Sequence, residues 1–377
     1  MASSINVDMA ILGGGIAGTC LGWYLNRKGA KVALIDNQWE ENSSRLPAAI
    51  VNPVSIQQPN AAWQAEASYN ELLSLINSIQ TDHPSIQTDH PFFHQTGIIR
   101  PALDDTLFAN FCETLKSSEW PDGWFSWLDQ QELIESLPQS RNKYGGINLR
   151  KGGWINLPEF MESIYIKIRE LDIPIVQAEN YRIEKSRNSV QIFTNEDHSI
   201  CCNYLIFATG AHLKRSPLWS ILPMHKVKGQ SALFKTARPV NFKQPVMALG
   251  HIIPQDSHLL YAGGTYEHAY QDVRPDEHGT KKLHTLIKTL LPGISDHIAL
   301  KDQWAEISLI TPNNLPFLGS HPRQQEYYVI AGFGAKGAIT TPYAANILAN
   351  HLIHGEPISD ELNTERYWQK LRKLGKI

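Results

Sequence analysis

Three glycines in the spacing Gly13-x-Gly15-x-x-Gly18 lie between an apolar run and a helical one, and they constrain the fold more than any other feature. Val7 to Leu12 reads as a short buried parallel strand. Ile16 to about Lys28 has helical spacing, with Gly29 where a capping glycine is expected. A second strand, Lys31 to Ile35, ends at Asp36, 18 residues after Gly18. In such a unit the first glycine permits the tight turn. The second lets the backbone approach a pyrophosphate, and the third lets helix and strand pack closely. The helix N-terminus offers free N–H groups to phosphate. A carboxylate at Asp36, followed by Asn37, suits a ribose without a 2′-phosphate. The spacing therefore predicts a dinucleotide site at Gly13, Gly15, Ile16, Ala17, Gly18, Asp36 and Asn37.

Two later motifs bear on which dinucleotide. The apolar run Tyr204 to Ala208 leads into Thr209-Gly210. Near the C-terminus, Gly332-Phe333-Gly334-Ala335-Lys336-Gly337-Ala338 precedes a second helix pattern that runs through Leu352. Two helix starts, one at each end of the chain, suit a long cofactor such as FAD. One would meet the pyrophosphate and the other the flavin edge where negative charge develops on reduction.

Composition excludes several classes. The chain has 377 residues and is 42% hydrophobic, 19% charged, with a net charge of -3. That argues against disorder and against a surface coated in nucleic acid or anionic lipid. Cys20, Cys112, Cys201 and Cys202 form no framework and read as reduced thiols of a cytoplasmic protein. If 201–202 is a strand, the two vicinal thiols point to opposite faces. No secretory signal is visible, and no uncharged apolar run reaches the roughly 18 residues of a membrane span. Ser78 to Pro84 is repeated without change as Ser85 to Pro91, and both copies read as a surface loop. His83, His90 and His94 lack a metal-ligand spacing, so no metal is expected. Helices are expected over Ala61 to Ile79, Pro158 to about Leu171 and Asp276 to Leu291. Strands are expected near Ile173 to Val176, Val190 to Thr194, Gln230 to Phe234, Leu259 to Ala262 and Tyr327 to Ala331.

With these motifs in hand, the chain resembles the D-amino acid oxidase superfamily of FAD-dependent oxidoreductases, which includes glycine and sarcosine oxidases. The resemblance rests on the N-terminal fingerprint, Lys228-Gly229-Gln230, Gly263 to Glu267, Trp304 to Gly319 and Gly332 to Pro342. Gly152 to Pro158 and Leu362 to Gly375 are also similar to the FAD oxidase domain of a bacterial bifunctional tRNA-modifying protein. The resemblance implies an α/β fold, with a Rossmann-like FAD-binding domain of the glutathione-reductase type. That domain would take 1–90, 151–223 and 322–377. It would interleave with an α+β substrate domain over 91–150 and 224–321, built on a large mixed sheet. Ala48, Ala49 and Ile50 would lie along the flavin ring. Gly334, Ala335, Lys336, Gly337, Ala338, Ile339 and Thr340 would wrap its pyrimidine edge and ribityl chain. All four cysteines precede Asn203, so FAD would be held noncovalently.

Departures from the family pattern are as informative. Ser308 stands where the family commonly has an arginine for the substrate carboxylate, and a serine cannot replace a bidentate, charged fork. His251 stands where a family tyrosine is found. His251, Tyr266 and Lys336 are the catalytic candidates, with Ser308, His251 and Tyr266 facing substrate. Lys228 and Arg274 are weaker sources of positive charge.

The chemistry implied is hydride transfer to flavin N5 from a carbon bonded to nitrogen in an amine or amino acid. Two alternatives stay open. One is a tRNA wobble-uridine oxidase acting on a carboxymethylaminomethyl group. Arg366, Lys370, Arg372, Lys373 and Lys376 beside Tyr367 and Trp368 could then meet the tRNA, or they could form a solvated helix whose Trp368 and Leu371 pack inward. The other is a flavin-holding protein without turnover.

Overall fold

The computed structural model describes residues 4–36, 42–54, 61–81, 92–116, 120–186, 189–194 and 199–376. Two large sheets carry the architecture. The first has six strands, in the order Ile175–Gln177, Val32–Asp36, Met9–Leu12, Tyr204–Phe207, Gln324–Ala331 and Phe317–His321. The first five run parallel and only Phe317–His321 is antiparallel. Strands buried on both faces read as unbroken apolar runs, and Met9–Leu12 is buried at every residue. The helices Ile16–Arg27, Ala65–Thr81, Leu157–Glu170 and Gly337–His354 cover one face through Leu21, Leu72, Ile164 and Leu348. The other face packs against Trp219, Trp368 and a four-stranded sheet. This is the doubly wound α/β form that the fingerprint requires.

The second sheet has eight strands and is mixed. Its order is Ile298–Ile310, His225–Thr236, Leu259–Gly263, His251–Asp256, Val246–Met247, Ile98–Pro101, Gly146–Leu149 and Phe125–Leu128. Alternation along His225–Thr236 gives it two different faces. Ala232 and Phe234 pack under the helix Glu277–Leu290. Tyr261 and Ile253 point the other way, toward Ala48 and Trp154. Ala48–Val51 pairs with Gly153–Asn156, which also pairs with Phe93–His94, in a small three-stranded sheet.

Several expectations need adjusting. The first strand does not run from Val7. Ser4–Asn6 belongs to the four-stranded sheet, and Val7 still donates to Cys201 O there. At Asp8 the backbone turns to Lys31 and Asn203, and the central strand begins at Met9. The first repeat copy is not wholly loop. Ser78–Thr81 is the last turn of a helix, because Ile79 extends the buried stripe of Leu72, Leu75 and Ile76. Residues 82–91, with His83 and His90, lie outside the described residues. His94 stacks on Trp154 with ring centroids 3.9 Å apart. Among the described residues no metal-ligating group of three or more forms, and no helix is long and apolar enough to cross a membrane. Phe317–His321, placed by sequence in the second unit, forms a hairpin with Gln324–Ala331 and so edges the first sheet.

The C-terminal helix Glu365–Lys373 packs through Trp368, which is 1% exposed and donates its indole N–H to Ser320 O at 3.1 Å. Arg372 pairs with Glu365 at 3.1 Å, while Lys370, Lys373 and Lys376 are exposed. The tail thus packs inward through Trp368 and leaves these lysines on its outer side. All four cysteines are free thiols, with Cys202 buried and Cys201 half-buried on successive positions of one strand.

Candidate cofactor and substrate site

The fingerprint turn folds as its spacing requires. Gly13 sits at φ +110°, where a side chain would run into Ala208 O. A Cβ on Gly18 would collide with the carbonyl of Gly13, so this glycine sets how closely helix and strand approach. Asp36 Oδ1 accepts from the Gly14 N–H at 3.2 Å. The Tyr165 hydroxyl lies 2.7 Å from Gly14 O and 3.2 Å from Asp36 Oδ2, able to donate to either. Burial and the Asp36 charge push the Tyr165 phenol up, so it stays protonated. Ser44 Oγ accepts from the Ile16 N–H at 3.0 Å, and Asn42 Oδ1 holds the Ser44 N–H at 2.9 Å. Nothing in the spacing of the sequence marks Tyr165 or Ser44, which reach the turn from distant elements.

One cleft runs from this turn to the C-terminal glycine segment. It passes from Asp36 and Tyr181 over Gly13–Ala17 and along Thr209–His212. It then reaches Gly332–Gly334, Gly337, Thr341 and Ser308. Ten of the expected residues line it: Gly13, Gly15, Ile16, Ala17, Asp36, Thr209, Gly210, Ser308, Gly334 and Gly337. Asn37 lies outside the described residues. Ala48, Ala49 and Ile50 form the strand opposite the eight-stranded sheet rather than the cleft wall. Ala335 is exposed, while Ala338 and Ile339 are core residues. The Thr340 hydroxyl donates to Lys336 O at 2.8 Å within its own helix. The helical turn instead aims Thr341 at the cleft. Its Oγ1 is buried with no partner among the described residues. A buried hydroxyl left without a partner costs about 1–3 kcal/mol, so it fits a bound group with a polar edge.

Lys336 turns away from the cleft. Its Nζ donates to Asn52 O at 2.8 Å and to Val54 O. Burial, with Arg100 nearby, pulls its pKa down to about 7. The expected substrate residues separate. His251 and Ser308 share one face of the eight-stranded sheet, since His251 opposes Gly263, Gly263 opposes Ser231, and Val227 opposes Ser308. His251 Nε2 is buried without a partner among the described residues, and burial lowers its pKa to about 4, so the ring is neutral. Tyr266 is 56% exposed and lies edge-on to His268, outside that face. Lys228 points to the opposite face, 2% exposed, with Nζ 3.0 Å from Asp276 Oδ2. Arg274 is exposed. Glu306, which the sequence reading passed over, lies on the same face as Ser308. Burial raises its pKa to about 8.

The family described as FAD dependent oxidoreductase (DAO) matches residues 8–351. A tRNA 5-methylaminomethyl-2-thiouridine biosynthesis bifunctional protein from Idiomarina loihiensis is 22% identical over 354 residues, covering 92% of this chain and 55% of that protein. Its counterpart from Leptospira interrogans is 25% identical over 413 aligned positions, covering 97% and 60%. The chain thus spans less than two thirds of these relatives. Among solved structures, glycine oxidase from Geobacillus kaustophilus superposes with a TM-score of 0.78 at 20% identity, covering 94% of this chain and 96% of that one. Iminodiacetate oxidase from Chelativorans sp. BNC1 gives 0.80 at 19%, covering 95% and 98%. At these identities the superpositions establish the fold.

Proposed function

The chain belongs to the FAD dependent oxidoreductase family, and from that membership we propose that it oxidises a carbon–nitrogen bond of a small amine or amino acid. FAD is its cofactor and supplies the hydride acceptor. The observation that carries the reading is the single cleft joining the Asp36 end to Ser308, with the orphaned Thr341 hydroxyl inside it. In this reading Asp36 receives the ribose hydroxyls. The N–H groups at the start of the first helix receive the pyrophosphate, with Ser44 beside them. Thr209 and Gly210 flank the chain between, and Gly334, Gly337 and Thr341 meet the flavin end. No side chain is assigned to bond FAD covalently. Ala48 to Ile50 and the sheet face bearing His251 and Ser308 enclose the reacting carbon and exclude water. Neutral His251, with a free ring nitrogen, accepts or donates one hydrogen bond to the amine end. Lys336 fixes the chain around Asn52 and Val54, and Tyr266 stands at the rim.

The cofactor unit takes 1–90, 151–223 and 322–377 together with the edge strand Phe317–His321. The substrate unit takes the rest. The test is the visible spectrum of the purified protein under anaerobic conditions, before and after adding glycine, sarcosine, proline, D- and L-amino acids and simple amines. A yellow protein bleached by one of these supports the reading. A protein that takes up no FAD overturns it.

A second reading is favoured by the relatives' printed role in tRNA modification and by the exposed Lys370, Lys373 and Lys376. The substrate would then be a modified uridine on tRNA. Bleaching by carboxymethylaminomethyl-bearing tRNA alone, with binding that weakens steeply in salt, would establish it. Salt-insensitive or absent tRNA binding would remove it.

A further inference from the structure

We propose that the substrate is a cationic amine without an α-carboxylate, and that Glu306 is its counter-ion. The inference rests on the C–N oxidation proposed above and names its substrate class. Ser308 faces the cofactor cleft, and Glu306 is the next residue on the same face of the strand Ile298–Ile310, about 7 Å further along. It lies opposite Gly229 on the neighbouring strand, and the carboxylate occupies the space a Cβ at 229 would need. Trp304 follows on that face, opposite Ser231, and its ring lies 6.2 Å from that of Tyr261. Tyr261 in turn lies 6.0 Å from His251 and feels the Glu306 charge. A carboxylate among Trp304, Tyr261 and a neutral imidazole is a setting for an ammonium group, which gains both ion pairing and the faces of the rings.

Among the described residues no cation stands beside this carboxylate, and its burial is relieved by its own main-chain N–H. Lys228, on the adjacent strand, points to the opposite face and pairs with Asp276. Arg100 shares the face but stands five strands away, about 24 Å along the sheet. Lys336 is held by two backbone carbonyls. An α-carboxylate brought beside Ser308 would therefore find no guanidinium and would disfavour the ionised form of Glu306, which holds its proton up to about pH 8 in the free protein. A bound ammonium group would favour ionisation and pair with the carboxylate so formed. The same carboxylate can take one proton from the bound ammonium nitrogen, leaving the neutral amine that oxidation of the adjacent C–H bond requires.

The test compares n-butylamine with norvaline, which differs only by the added α-carboxylate. Binding to the FAD-loaded protein is read by calorimetry, which needs no turnover. Butylamine should bind at least tenfold more tightly than norvaline, and Glu306→Gln should remove that preference. Gly229→Ala, which keeps the charge but displaces it, should weaken butylamine several-fold. Glu306→Asp should retain part of the preference, and it carries the test if the glutamine variant does not fold. Equal or tighter binding of norvaline, or butylamine binding unchanged in Glu306→Gln, overturns the proposal. FAD content is measured separately on each sample. A colourless protein that still prefers butylamine overturns the flavin reading and not this one. A yellow protein indifferent to Glu306 does the reverse.

Discussion

Two side chains in the site have measurable signatures of their own. Glu306 holds its proton up to a pH of about 8, against an ordinary value of 4.5. Between these values the folded protein keeps a proton that the unfolded chain releases. Stability must therefore fall as pH rises through that window. For a carboxyl that is partly exposed, the loss is about 2 kcal/mol. Chemical denaturation without amine should show it most clearly from pH 6.5 to 8, and Glu306→Gln should flatten that slope, leaving His251 on the same face, whose lowered pKa makes stability rise with pH between about 4 and 6.5. Thr341→Val gives the complementary case. It removes a buried hydroxyl without a partner, so the cofactor-free protein should gain about 1 kcal/mol in melting experiments. FAD affinity, read by quenching of flavin fluorescence, should fall several-fold. A valine variant that binds FAD as before would remove Thr341 from the cofactor site. At this scale the sequence was only partly legible. Gly13, Gly18 and Asp36 are spaced along one local turn and can be read from a single stretch. Tyr165, Ser44, Thr341 and Glu306 join the site from elements far apart in the chain. Which face of a helix or strand they occupy is decided by packing. That is why Ile339, which the resemblance sets beside the cofactor, lies in the core, while Thr341 lines the cleft.

Among elements, the strand–turn–helix at the N-terminus is the least tolerant of change. Gly18→Ala would press a methyl group into the Gly13 carbonyl, which is backbone and cannot rotate away. Overpacking of this kind costs about 1–3 kcal/mol, and here it also moves the helix start from the cleft. The variant should melt lower and lose most of its yellow colour on purification. Normal FAD content would show that the approach of helix to strand is looser than described. Helices were read within a few residues because their apolar spacing is local, as in Leu157–Glu170 and Glu277–Leu290. Strand order was not readable. Val246–Met247 is two residues long, and it alone links the strands near residue 255 to those near 100. The split between Ser4–Asn6 and Met9–Leu12 likewise depends on partners some 190 residues away.

Across the whole molecule, Trp368 ties the last helix to the first sheet. It packs against Trp219 with centroids 6.0 Å apart and bonds to Ser320. Trp368→Ala should cost about 3–5 kcal/mol, seen as a lower midpoint in denaturant. Because Ser320 is on the edge strand of the cofactor sheet, FAD retention should fall with it. An unchanged midpoint would mean that the tail is merely resting on the surface.

The cleft draws its wall from Gly13–Ala17 and from Gly332–Thr341, with the helix of Tyr165 and the turn after Phe207 between. Those two walls are separated by more than three hundred residues of synthesis. At about 5–20 residues per second, a ribosome completes the second wall roughly 15–65 s after the first. The nascent chain therefore carries its phosphate-binding turn long before it has anywhere to hold an isoalloxazine. Loading with flavin is a late event in the life of each molecule, and a cell short of flavin would accumulate full-length chains rather than stalled ones.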